Sequence, residues 1–168
     1  MCLSFKKITI LLVLSFTGAC ASKQPESYSS QTTKFGANLI LVANENEFLR
    51  LWSRPEAPTI TKLSKVPVGS EFSGVILYWG GGKDAKGNCN IEMKTKVMSG
   101  SKVLAQGGSL PLCKNHAPPS LNALALGDTL ISLKAAGQPI NMVVHVEIID
   151  RINNETLNVS APIEVVAQ

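Results

Sequence analysis

The chain has 168 residues, sixteen basic against twelve acidic, with hydrophobic residues making up 45%. That length and apolar share suit one domain with a core of its own. The net charge of +4 includes Lys6 and Lys7 at the extreme N-terminus, and it is too small to argue for a nucleic-acid partner. Two histidines leave a hydrolytic triad few ways to assemble.

The first element is not part of the domain. Lys6 and Lys7 precede an apolar run, residues 8–16, interrupted only by Thr9 and Ser15, and small residues follow. A basic start, a short apolar stretch and a small-residue end form an export signal. The run is about half the length a bilayer-spanning helix needs. Thr17-Gly18-Ala19-Cys20 resembles the lipobox of bacterial lipoproteins, with Thr where Leu is usual. The resemblance implies cleavage after residue 19 and acylation of Cys20. Ala21-Ser22, with no Asp, implies sorting to the outer membrane, facing the periplasm. Ala19-Cys20-Ala21 also fits a general signal-peptidase site, so a soluble periplasmic or secreted form is the alternative. Without residues 1–19, fourteen basic residues face twelve acids.

Cysteine accounting follows from this. Cys2 leaves with the signal and Cys20 carries lipid, which leaves Cys89 and Cys113 as an even pair in an oxidising compartment. They are expected to be joined; two free buried thiols are the alternative.

Residues 21–34 are polar and almost free of aliphatic side chains, and read as a flexible tether. The domain is expected over residues 35–168. Leu39-Ile40-Leu41-Val42 reads as a buried strand. Asn44 can cap a short helix, with Glu45 and Glu47 at its positive end and Phe48, Leu51 and Trp52 on one face; Pro55 follows its end. Residues 60–66 read as the best strand of the following proline-punctuated segment. Val75, Leu77 and Trp79 alternate with Ile76 and Tyr78, a strand apolar on both faces and therefore central. Gly80-Gly81-Gly82 reads as a flexible turn and residues 84–88 as a hairpin turn.

Ile91, Met93, Thr95 and Val97 alternate with Asn90, Glu92, Lys94 and Lys96, a half-buried strand with a solvent face. Residues 102–106 form a short strand, and residues 107–120 a loop carrying Cys113 and three prolines. Strands are expected near residues 130–134 and over 140–150, where Met142, Val144, Val146 and Ile148 oppose Asn141, His145 and Glu147. Asn153-Asn154 turns the chain into a last strand, in which Pro162 marks an edge or bulge. Seven or eight strands and one N-terminal helix predict a mainly β, antiparallel β-sandwich.

The order Phe48-Leu49-Arg50-Leu51-Trp52, Val75-Ile76-Leu77-Tyr78-Trp79-Gly80-Gly81 and Asp84-Ala85-Lys86-Gly87-Asn88-Cys89, closed by a long hairpin, resembles a group of secreted bacterial proteins. That resemblance implies an immunoglobulin-like sandwich. Members often carry a further cysteine near Gly81, which is absent here.

For chemistry, Cys89, Cys113, His116 and His145 offer a weak metal set, with a Cys113-x-x-His116 spacing and soft ligands that suit copper or zinc, set against a disulfide beside a surface histidine. No metal or other cofactor is expected. His145 and Glu147 share a strand face but point to solvent. No nucleophile elbow, zinc-protease motif or redox cysteine motif occurs, so no enzyme is expected. Lys94 and Lys96, in a half-sheet with Lys83, Lys86 and Lys102, and Tyr78 and Trp79, beside the glycines, are the candidate recognition surface. Trp79 suits the core aromatic of a sandwich better than Tyr78 does. The expectation is a non-enzymatic envelope protein, held at the membrane by lipid and meeting another envelope protein; the alternative is a periplasmic small-ligand or metal-binding protein.

Overall fold

The computed structural model describes residues 28–56 and 58–168. The export signal, Cys20 and most of the tether lie outside the described residues. The elements are β1 (Ser29–Gln31), β2 (Phe35–Val42), α1 (Glu45–Trp52), β3 (Lys65–Pro67), β4 (Glu71–Gly80), β5 (Asn90–Ser99), β6 (Lys102–Lys114), β7 (Ala125–Leu126), β8 (Ile131–Lys134), β9 (Ile140–Asp150) and β10 (Glu155–Val166). The described residues are mainly β with one helix, as the alternating patterns predict. One sheet runs β1-β2-β4-β7, with β8 also on β4, and the other runs β3-β10-β9-β5-β6. Every pairing is antiparallel except β3 on β10.

Inward residues of both sheets share one core, with Leu39, Ile76 and Tyr78 from the first and Met93, Val144 and Ile148 from the second. Each such fully buried aliphatic side chain contributes about 1.5–3 kcal/mol. In the second sheet the outward positions between them, such as Lys94 and Lys96, are exposed. The first sheet behaves differently, because its outer face carries a second apolar cluster of Ile40, Val42, Phe48, Val75 and Leu77. α1 lies over that face. Asn44 caps it, its side chain accepting from the Glu47 N–H at 3.0 Å, while Phe48 is buried and stacks on Trp52 at 5.9 Å. β4 is therefore covered on both faces, which is why its sequence lacks alternation.

Several expectations need correction. Residues 29–31 pair with β2, so the chain joins the sheet before residue 35. The segment 60–66 is not one strand: only Lys65–Pro67 joins a sheet, in parallel with β10. Leu63 makes one backbone bond beside β2, donating to the Leu41 carbonyl at 2.8 Å, and Ile60 packs on the outer cluster. The strand placed at 102–106 continues to Lys114, absorbing half of the expected loop. The three glycines are held rather than flexible. Gly80 and Gly81 have φ of +74° and +118°, a region that favours glycine. The Gly82 N–H donates to the buried Asp150 carboxylate at 2.6 Å, and that carboxylate also accepts from the Ile152 and Asn153 N–H groups. One buried acid thus ties the β9–β10 turn to the end of β4.

Candidate functional site: the disulfide corner and the open edge

Cys89 and Cys113 form a disulfide, with Cα atoms 5.8 Å apart and a separation of 24 positions in sequence. Closing a loop of that size is worth about 3–4 kcal/mol in the chain-entropy model. The bridge joins the start of β5 to the end of β6, and both sulfurs' residues are buried.

Beyond Cys113 the chain turns at Asn115, whose φ is +64°. The His116 carbonyl accepts from the Cys89 N–H at 2.8 Å, so the turn is fastened to the other half of the disulfide. The His116 ring then contacts Asp128, with Nε2 2.9 Å from Oδ1, while Nδ1 lies 3.1 Å from the Ala117 carbonyl and 3.9 Å from Cys113 Sγ. The Asp128 carboxylate raises the His116 pKa above its ordinary value, and the Ala117 carbonyl adds to the effect. Asp128 also holds the end of β6: its Oδ2 accepts from the Lys114 N–H at 3.0 Å, and its own N–H donates to the Leu112 carbonyl at 2.9 Å. One residue earlier, the Gly127 N–H donates to the Ile76 carbonyl in the first sheet. The corner therefore joins the edge of one sheet to the middle of the other. A Cβ on Gly127 would meet the end of the Leu112 side chain, which would have to shift to admit it.

Among the described residues, Cys89, Cys113 and His116 are the group whose ligand atoms lie close together, all within 4.8 Å of one another. His145 is elsewhere. It pairs in register with Lys96, whereas Cys113 pairs with Ile91. Five residues of strand separate those levels, about 17 Å at ~3.4 Å per residue. The expected set is thus divided, with Cys89, Cys113 and His116 together and His145 apart. Asp128 was not anticipated; it lies twelve positions after His116, beyond β7, and no sequence spacing announces the pair.

The expected recognition surface is also divided. Tyr78 is 1% exposed and sits in the common core, where burial, with the Asp128 charge adding to it, pushes its pKa up to about 12. Trp79 is the half-buried one, on the outer face of the first sheet, where a Cβ on Gly36 would collide with its ring. The preference for Trp79 as the core aromatic is reversed, because alternation gives two faces and does not say which one is inside. Lys94 and Lys96 lie on the outer face of the second sheet, with Lys94 3.5 Å from Glu147. Along that face Arg151 pairs with Glu92 at 3.0 Å, holding the Glu92 carboxyl below its usual range, with help from the Ser109 hydroxyl.

Two further surfaces stand out. Among the described residues, β6 is an edge strand, paired to β5 alone. From Lys102 to Pro111 every residue is exposed, Val103, Leu104 and Leu110 among them, and no charge falls between Lys102 and Lys114. Beside α1, a cleft of about 550 Å³ is lined by Val42, Phe48, Leu51, Ile60 and Leu63, with Glu47 and Lys62 also on its wall.

No protein-family model matches the chain, and no curated protein matches it. Among solved structures it is similar to a family 123 glycoside hydrolase from Clostridium perfringens, described for glycolipid glycan hydrolysis, with 10% identity and a TM-score of 0.44. The match covers 81% of this chain and 28% of that one, so the chain spans under a third of its length.

Proposed function

We propose that the chain is a non-enzymatic, lipid-anchored envelope protein whose domain, an immunoglobulin-like β-sandwich, docks a strand of another envelope protein along β6. The single observation that carries the reading is the open edge. Edge strands normally carry charges, prolines or bulges that discourage pairing. β6 has register shifts against β5 and one proline, yet residues 103–110 remain exposed, extended and uncharged. An added strand would gain main-chain hydrogen bonds there, with Val103, Leu104 and Leu110 offering apolar contacts. In this reading the membrane contact rests on Thr17-Gly18-Ala19-Cys20, and the outer-membrane, periplasm-facing location rests on Ala21-Ser22. Nucleic acid is not a partner of this reading.

Affinity capture from crosslinked envelopes tests it. The wild type should recover a defined partner, and a Leu104→Lys/Leu110→Lys variant, charged on the edge but outside the core, should lose at least tenfold of it. Equal recovery by the variant, or no partner above background, overturns the reading. Mass spectrometry of the mature N-terminus tests the anchor, with acyl chains on Cys20 expected.

A second reading, a periplasmic small-ligand protein, is favoured by the cleft beside α1. Its test is a thermal-shift screen with apolar ligands, in which Leu51→Trp should abolish any shift the wild type shows.

A further inference from the structure

The disulfide corner contains a ligand set that its oxidised form does not use. Sulfur ligands bind a Zn(II) ion at about 2.3 Å and imidazole nitrogen at about 2.0 Å, so donor atoms around one ion stand roughly 3.5–4 Å apart. Cys113 Sγ is already 3.9 Å from His116 Nδ1, and Cys89 Sγ completes a group within 4.8 Å. While the sulfurs are bonded to each other neither is a thiolate, and the group binds nothing. We propose that the reduced protein holds one thiophilic d10 cation, Zn(II) or Cu(I), on Cys89, Cys113 and His116, making this corner a redox-gated metal site.

Three features of the corner support the assignment. The ligands are kept together without the S–S bond, because the Cys89 N–H donates to the His116 carbonyl at 2.8 Å and Cys113 is fixed in β6. Asp128 lies on the far side of the imidazole from the sulfurs, 2.9 Å from Nε2. A carboxylate accepting from one ring nitrogen turns the other nitrogen into a metal ligand and fixes the ring plane. Asp128 is itself oriented by the Lys114 N–H. Finally, the His116 side chain is 48% exposed, so the imidazole side of the site faces solvent while both cysteines are buried.

The chemistry balances with a thiol reductant. Its two thiols become a disulfide, and the two electrons and two protons they give up convert the Cys89–Cys113 bond into two thiols. Binding of the cation then releases both thiol protons to solvent, leaving two thiolates. His116 binds as neutral imidazole: Nδ1 exchanges the Ala117 carbonyl for the ion, and the Nε2–H stays on Asp128. Soft thiolates with one imidazole suit both Cu(I) and Zn(II).

The test titrates the full-length protein with Zn(II) and, separately, with Cu(I), each against a chromophoric chelator. The protein is reduced anaerobically with a phosphine beforehand, and near-UV circular dichroism checks the fold. One equivalent should bind to the reduced protein and none to the oxidised protein. His116→Ala should weaken binding at least tenfold, and Asp128→Asn by about tenfold, the range found for second-sphere carboxylates. No stoichiometric binding by the reduced protein overturns the proposal. So does equal affinity in His116→Ala, which is also the result expected if reduction unfolds the corner and two loose thiols take the ion. A partner that still docks on β6 in the metal-free oxidised protein leaves the two proposals separately decided.

Discussion

The outer faces of the two sheets had the same opportunity to meet solvent, and only one does. In the second sheet, Lys94, Lys96, His145 and Glu147 stand outside β5 and β9, each alternating with a core residue. In the first, Ile40, Val42, Val75 and Leu77 stand outside β2 and β4 and are roofed by Phe48, Trp52, Ile60 and Leu130. An eight-residue helix could not hold itself together in water. Its stability comes from that roof contact, so the helix and the second cluster should exist only together.

The largest test of this difference places one change on each face. Leu77→Lys buries a charge with no partner and should cost about 4 kcal/mol or more, enough to leave little folded protein by chemical denaturation. Lys96→Leu on the solvent face should change stability by no more than about 0.5 kcal/mol. Next, Phe48→Ala should cost about 3 kcal/mol and also remove the helical signal, since the roof contact is what holds α1. Gly36→Ala pushes a methyl group into the Trp79 ring and should cost roughly 1–3 kcal/mol, with much of it recovered in a Gly36→Ala/Trp79→Ala double variant.

Two smaller effects belong to the second sheet. Thr95 faces the core, and its buried hydroxyl has no hydrogen-bond partner among the described residues, so Thr95→Val should raise the denaturation midpoint by an equivalent of about 1 kcal/mol. His116 supplies a pH dependence. Its pKa is raised on folding by Asp128, so its contribution is fully present below the unfolded value near 6.5 and is lost as pH rises through the folded value. The pair is about half exposed on the histidine side, so the change should stay under about 1 kcal/mol. Stability curves measured from pH 5.5 to 8.5 should show it in the wild type and lose it in Asp128→Asn.

Legibility in the sequence tracked this same division. β9 and the turn at Asn153-Asn154 could be placed to the residue because strict alternation and left-handed Asn154 are local signals. β4 could be named central for its two apolar faces, but those faces hid which of Tyr78 and Trp79 points inward. β6 was cut short because Gly107, Gly108 and Pro111 read as loop; an edge strand exposed on both faces has no buried stripe to betray it. In residues 60–66 the apolar side chains Ile60, Leu63 and Val66 recur every third position, and only the end of the segment finds a ladder. At the corner, the disulfide followed from counting cysteines, whereas Asp128 reached His116 through the fold alone.

The bridge between Cys89 and Cys113 has a consequence for how the open edge can be used. It closes β5 and β6 into a covalent ring whose other end is the turn at Gly100. A strand fixed at both ends cannot peel away and be traded for its counterpart in another copy, which is how edge strands give rise to swapped dimers. While the ring is closed, β6 serves as a template that gains a neighbour without giving up its own.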